Sequence, residues 1–367
     1  MLANLGVAAL DDRTLEIRLT QPAPYFPSLA GWIGFAPVKQ ELIEAGGPEW
    51  WRDPANWVGN GPFQLAAIQP DADPPSLLMT RNTRYWAGPT KLDGLELVLI
   101  PGDERLAAYQ RGELDVTYPE YDDIPWLEAD PVLSNELLDI PMFYVDAFLF
   151  NQTRPPFTDP KVREAFAYAF DREQYCQTID YTCTPTLNWI PQGIAGHLET
   201  DAHTYDPAKA RQALEESTYG GPENLPEITW YYYLDDPWDT RRAEWLAAQY
   251  RSVLGVELTL TGMDGDALEA MSEDVTTRPQ MTDTYWFSAF ADPYEWLTYW
   301  TCGDQSFAQS IGYCNPAYDA LVEQANRELD PETRKTLVEE AHRLLLADSP
   351  AIFAYTFGNI FLVKPSV

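Results

Sequence analysis

Residues 143–172 read FYVDAFLFNQTRPPFTDPKVREAFAYAFDR, and this stretch decides the fold. An aromatic, alternating strand runs into a polar, proline-bearing turn, and the turn runs into a helix. Asp159 is placed to cap that helix, and Pro160 falls at the first helical position, where its missing N–H costs nothing. Val162, Ala165, Phe166, Ala169 and Phe170 then recur at the three- and four-residue spacing of one buried helix face. The expectation is a strand–turn–helix unit in a mixed α/β protein.

Working outward, Val7 to Thr20 alternates as a strand, with Leu15, Ile17 and Leu19 on one face. Pro22, Pro24 and Pro27 end it. Phe35 to Ala45 reads as a short helix with Pro37 near its start, and Gly46 to Pro54 as loop. Val58-Gly59-Asn60-Gly61-Pro62 is a glycine turn that enters the strand Phe63-Gln64-Leu65; a phosphate cradle would instead need a helix there. Two further helices open on Asp206-Pro207 and Asp330-Pro331; the second carries Leu337, Val338, Ala341, Leu344 and Leu345 on one face. The strand Glu227 to Leu234, the helix Asp239 to Leu254 and the strand Val256 to Thr261 form a β–α–β succession, which implies a parallel sheet with helices packed on it. Ala351 to Val363 reads as a buried strand.

Composition narrows the function. The chain has 367 residues, 45% of them hydrophobic and 13% aromatic, enough for two domains with their own cores. No apolar run reaches the roughly twenty residues of a membrane span. Met1 to Leu10 lack the basic flank and cleavage site of a secretory signal. The net charge is −33, a field that repels phosphate backbones and argues against nucleic-acid binding. Such a surface keeps a secreted protein soluble; a salt-adapted or acid-exposed habitat is the alternative. Lys39, Lys91, Lys161, Lys209, Lys335 and Lys364 are the only lysines.

Four cysteines fall into two close pairs, Cys176 with Cys183 and Cys302 with Cys314. None has a histidine at zinc-ligand spacing. Short intervening loops favour two local disulfides, formed outside the cytoplasm, over the other pairings or over reduced thiols.

Catalytic patterns are sparse. His197 and His203, with Glu199 or Asp201, are the one arrangement resembling a metal site, and they lack a helical frame. His342 reads as a surface or boundary residue of the helix after Asp330. No GxSxG elbow, HExxH helix or CxxC pair is present. Paired carboxylates such as Asp122-Asp123 and Asp235-Asp236 mean little in so acidic a chain.

The wording of the opening stretch, FNQ…PPFTDPKVREA…AFDR, resembles the hinge-side signature of the extracellular solute-binding proteins, family 5, of peptide, dipeptide and nickel ABC importers. The same order of motifs continues across the chain: the Val58–Pro62 turn, Arg81-Asn82…Tyr85-Trp86, Leu92-Asp93-Gly94-Leu95-Glu96-Leu97, the helix Asp103 to Arg111, and Gly112-Glu113-Leu114-Asp115. The resemblance implies a type II periplasmic-binding fold, α/β, with two lobes of mixed sheets joined by a hinge. Residues 1–58 would then be a remnant of the extra lobe of large members, 59–150 part of lobe I, 151–354 the major second lobe, and 355–367 a return strand to lobe I. Relative to the family, roughly a quarter to a third of a typical member is expected to be absent, chiefly at the N-terminus.

The resemblance also implies function: an extracytoplasmic, monomeric binding component that closes on a peptide and passes it to a membrane ABC permease, without cofactor, metal or catalysis, lipid-anchored in its full-length form. An oligosaccharide or another small solute on the same scaffold is the alternative, and a secreted hydrolase a third reading. Family members grip a peptide ammonium with an aspartate in an Ala-Asp segment, which assigns that role here to Asp292 in YWFSAFADPYEW; a helix-capping role is the competing reading. Trp286, Phe290, Phe148, Trp189 and Tyr355 are the expected ligand-facing aromatics, with Tyr231, Tyr232 and Tyr233 further candidates, of which alternation turns at least one away.

Overall fold

The computed structural model describes residues 5–180, 182–272, 275–303 and 307–367; residues 1–4 of the leading segment and 304–306 between Cys302 and Cys314 lie outside them. The chain divides into two compact units, one made of Met1–Ala30 and Ile140–Asn359, the other of Gly31–Asp139 and Ile360–Val367.

The larger unit is organised on the strand Tyr144–Phe150, buried at every residue. It lies between Met281–Phe287 and Ala351–Val363, antiparallel to both. Tyr285 and Tyr355 are both paired with Asp146 in this register. Alternation sends Phe148 and Phe150 into one core, with Phe166, Trp230, Tyr250 and Ile352. It sends Val145, Ala147 and Leu149 into a second, with Trp189, Trp300, Leu345 and Phe353. A strand buried on both faces explains why the opening stretch is apolar almost without interruption.

The Asp-Pro helix signals hold, whereas the helix expected over Phe35 to Ala45 begins only at Gln40, after a 3-10 turn at Ile33–Phe35. Asp159 caps Pro160–Ala169 by accepting the Lys161 N–H, while its other oxygen accepts the backbone and hydroxyl of Thr218. Asp206 and Asp330 cap Pro207–Glu216 and Pro331–Asp348 in the same way. Ile228–Tyr233 and Leu258–Met263 are parallel, joined by the helix Pro237–Leu254, which ends at Gly255 in the left-handed region (φ 72°). Two buried arginines bind backbone carbonyls: Arg163 donates to Phe157, Asp348 and Ser349, Arg172 to Phe353 and His203. Each satisfies polar groups that burial would otherwise leave unpaired. The Cys176–Cys183 and Cys302–Cys314 disulfides close local loops, with Cα separations of 5.3 and 4.7 Å.

The smaller unit holds an antiparallel sheet of Phe63–Gln69, Ser76–Arg81 and Gly94–Val98, and the helix Gly102–Gln110. Its core cluster is small: Tyr109, Leu127, Leu133 and Leu362. Glu136 accepts from the Tyr109 hydroxyl and from Lys364, whose ammonium sits 3.7 Å from the Tyr109 ring centre.

Three local expectations are corrected. Val7 to Thr20 is a hairpin, Val7–Asp11 against Thr14–Ile17, because the Asp11 carboxylate accepts the Arg13 N–H and closes a turn. Gly46 to Pro54 is not plain loop: Gly47–Arg52 forms 3-10 turns. His342 is completely buried: it accepts the Trp189 N–H through Nε2, and Nδ1 donates to the Gly196 carbonyl. Burial pushes its pKa down to about 4.

Candidate ligand-binding site

Tyr144 and Asp146 point to one side of the central strand, and the neighbouring strands place Asp283, Tyr285, Phe287 and Tyr355 beside them. The rings form a continuous surface. Tyr144 stacks on Tyr285 at 5.5 Å and meets Phe357 at 4.0 Å, and Tyr285 stacks on Phe287 at 6.4 Å. Tyr285 and Phe287 are each 55% exposed, whereas Tyr144 is 8% exposed. The surface therefore runs from solvent down to a buried phenol.

Beneath these rings lies a charged group. The helix Pro237–Leu254 puts Asp239 and Arg242 one turn apart, and Arg242 Nη2 is 2.5 Å from Asp239 and 2.8 Å from Asp283. Asp239 also accepts the Tyr233 N–H at 2.6 Å. The guanidinium is flanked by the Trp238 and Trp230 rings, 4.7 and 5.9 Å from their centres. Burial works against its charge, but Asp283 and Asp239 outweigh that and hold its pKa above the ordinary value.

Asp146 is the unusual member. It is 5% exposed and has no ion pair within 4 Å among the described residues. Tyr144 donates to its Oδ2 at 3.2 Å, the Tyr355 hydroxyl acts on it as a further donor, and its Oδ1 is sealed from solvent. Burial, only partly offset by Arg242, pushes its pKa up to about 7. Arg242 Nε is buried, and the Tyr175 hydroxyl is buried beside Tyr355; both residues interact electrostatically with Asp146. Three carboxylates thus surround one guanidinium.

The residues singled out from the sequence occupy several places. Asp292 is 6% exposed; it accepts the Tyr294 N–H, and both of its oxygens are bound by Arg334 at 2.7 and 2.9 Å. Its charge is neutralised inside the fold. Phe148 and Trp189 are fully enclosed, one in each core. Trp286 faces the second core, its ring 4.2 Å from that of Tyr299, and Phe290 is 9% exposed. Of that group, Tyr355 adjoins Asp146. Asp146, Asp239, Arg242 and Asp283 escaped sequence reasoning. The available signal was a single carboxylate, Asp146, inside an otherwise apolar strand. His197 and His203 bind the Ile190 carbonyl and the Ser349 hydroxyl separately; no metal-binding group of His, Cys, Asp and Glu occurs among the described residues.

Comparison with known proteins identifies the family. The family model for bacterial extracellular solute-binding proteins, family 5, middle region, matches residues 1–308. The chain belongs to that family. It is 28% identical over 99% of its length to the dipeptide-binding protein DppE of Bacillus subtilis, covering 67% of that protein. It is 29% identical over its full length to the probable deoxycholate-binding periplasmic protein YgiS of Escherichia coli, covering 68%. Its fold matches that of the periplasmic murein tripeptide-binding protein MppA in its unliganded open form, with a TM-score of 0.83 and 25% identity over 98% of this chain and 69% of the other. The chain thus spans about two thirds of the length of these relatives, and its fold class is the α/β, type II periplasmic-binding one.

Proposed function

We propose that this chain is the ligand-binding part of the extracytoplasmic solute-binding component of an ABC importer, that its ligand is a short peptide, and that it delivers the ligand to a membrane permease without altering it. Peptide-binding relatives along the whole chain carry this reading. The aromatic surface of Tyr144, Tyr285, Phe287 and Phe357 supports it, since exposed rings over buried polar groups offer both contact area and orientation. The hydrolase reading has less support: the Ser349 hydroxyl lies 3.0 Å from His203 Nε2, but Ser349 is only 3% exposed and out of a substrate's reach. A bile-acid ligand, as in the name of one relative, would bring a carboxylate toward Asp146 and Asp283, where like charges repel.

Titration calorimetry with a pool of di- and tripeptides tests the proposal. Saturable heat is expected, reduced by Tyr285→Ala. Absence of binding by every peptide, with binding of deoxycholate or of an oligosaccharide instead, would overturn the peptide assignment.

A further inference from the structure

The Cys176–Cys183 disulfide is joined to the aromatic surface by a continuous set of contacts. Cys183 opens the short strand Cys183–Pro185, which runs antiparallel to Ala351–Val363 with Cys183 opposite Phe357, Thr184 opposite Thr356 and Pro185 opposite Tyr355. Phe357 is the ring that meets Tyr144 at 4.0 Å, and both Cys183 and Phe357 pack against the first core. By itself this ladder holds little. It is three residues long, and Pro185 brings no N–H to it. Beyond it, the Thr186 N–H donates to the Ala354 carbonyl.

The other end of the bridge is firmly held. Cys176 is buried on the helix Arg172–Thr178. Arg172 of that helix donates to the Phe353 carbonyl at 2.7 Å, and the Tyr175 ring stacks on Tyr355 at 5.4 Å. The helix is therefore fixed to the strand that carries Phe357. Between the cysteines, the Asp180 carboxylate accepts the backbone and hydroxyl of Thr182, and the Asp180 carbonyl accepts the Cys183 N–H. This turn directs the chain back to the strand. The bridge, with its Cα atoms 5.3 Å apart, then limits how far Cys183 can leave Phe357.

We propose that the Cys176–Cys183 disulfide is a positioning element of the ligand-binding surface: it pins Cys183–Pro185 against the strand Ala351–Val363 and so holds Phe357 on Tyr144, and the four rings meet a ligand as a surface already formed. The inference rests on the solute-binding reading above and names the covalent bond on which the affinity of that surface depends. A preorganised surface binds without the entropy cost of ordering its side chains, and loss of the bridge restores that cost. The Cys302–Cys314 bridge serves as the comparison. It too closes a short loop and contributes to stability, but the Cys302 N–H binds Asp319 on the helix Pro316–Ala325, which packs in the second core.

The test is titration calorimetry with the tripeptide Ala-Phe-Ala on the full chain, on Cys176→Ser/Cys183→Ser and on Cys302→Ser/Cys314→Ser, at a temperature where all three are folded by urea titration. The first double variant is expected to bind about threefold to tenfold more weakly, the value of an aromatic contact. The second should bind as the parent does. Phe357→Ala should weaken the parent by a similar factor and the Cys176→Ser/Cys183→Ser protein little further, since both changes act through one ring. Without peptide, hydrogen exchange at the Thr186 amide should be faster in the first double variant alone. If that variant binds as the parent does, or its exchange is unchanged, the positioning role is wrong while the solute-binding reading stands. If both double variants lose affinity equally, general destabilisation is the cause and the positioning role is equally wrong. If the parent does not bind Ala-Phe-Ala, both readings fail.

Discussion

Asp292 and Arg334 form a two-pronged ion pair, Oδ1 to Nη2 at 2.7 Å and Oδ2 to Nη1 at 2.9 Å, with 8% and 14% of their side chains exposed. Arg334 Nε donates in addition to the Ala325 carbonyl. The arginine thus joins the start of the helix Pro331–Asp348 to the end of Pro316–Ala325 and to the segment after the strand Met281–Phe287. That position gives Asp292 a structural task.

Removing one partner leaves the other charge buried and unpaired. Asp292→Ala is therefore expected to destabilise the larger unit by about 3–5 kcal/mol. Replacing both residues by apolar ones should cost less than the sum of the single changes. Urea unfolding of the two single variants and the double variant measures this. A neutral effect of Asp292→Ala on stability, paired with loss of peptide affinity, would return Asp292 to the ligand.

The buried titrating groups set opposing pH slopes. His342 has a folded pKa of about 4 against an ordinary 6.5, so the unfolded chain binds more protons between these values. Stability from His342 is present above pH 6.5 and is lost as pH falls toward about 4, by about 3 kcal/mol. Asp146 acts in the other direction: its pKa is raised to about 7 from 3.8, so its contribution is present at low pH and is lost as pH rises through about 7. Unfolding free energies measured across this range should show a shallower acid loss in His342→Gln and a gain for Asp146→Asn at neutral pH. Parallel curves for both variants and the parent would refute the assignment.

How much of this was legible beforehand depends on the range of the interactions. Asp159-Pro160, Asp206-Pro207 and Asp330-Pro331 announce helices because cap and first turn are adjacent in sequence. The parallel pair flanking Pro237–Leu254 follows from a local β–α–β order. Polarity alone puts His342 at the surface, although it shares the helix face of Val338, Ala341 and Leu345; a carbonyl and an N–H from distant segments make its burial possible. The acidic group has no local pattern. Asp146, Asp239 and Asp283 meet only when a helix is laid against two strands, and no spacing in the chain encodes that.

Each disulfide closes a short loop, separated by 7 and 12 residues. Cross-linking of this kind restricts the unfolded chain and contributes about 2–3 kcal/mol. Replacing Cys176 and Cys183 together by Ser, or Cys302 and Cys314 together, should lower the unfolding midpoint in denaturant. A peptide map without reductant should recover the two local bridges, and recovery of crossed bridges or free thiols would contradict the structure.

The two units differ in how much they bury. Tyr144–Phe150 is enclosed on both faces, whereas Phe63–Gln69 is half-buried or exposed throughout, beside a small core cluster. Hydrogen exchange followed by mass spectrometry should find slow exchange at Tyr144–Phe150 and exchange faster by orders of magnitude at Phe63–Gln69. Equal protection of the two strands would show that the smaller unit is stabilised by more than its own core.

The central proposal is that this chain holds an intact solute and does no chemistry on it. Native mass spectrometry of the protein mixed with a complex pool of short peptides tests it most directly. A one-to-one complex with unmodified peptides is expected. Cleaved or altered peptides in the bound or released fraction, or no retained peptide at all, would contradict it.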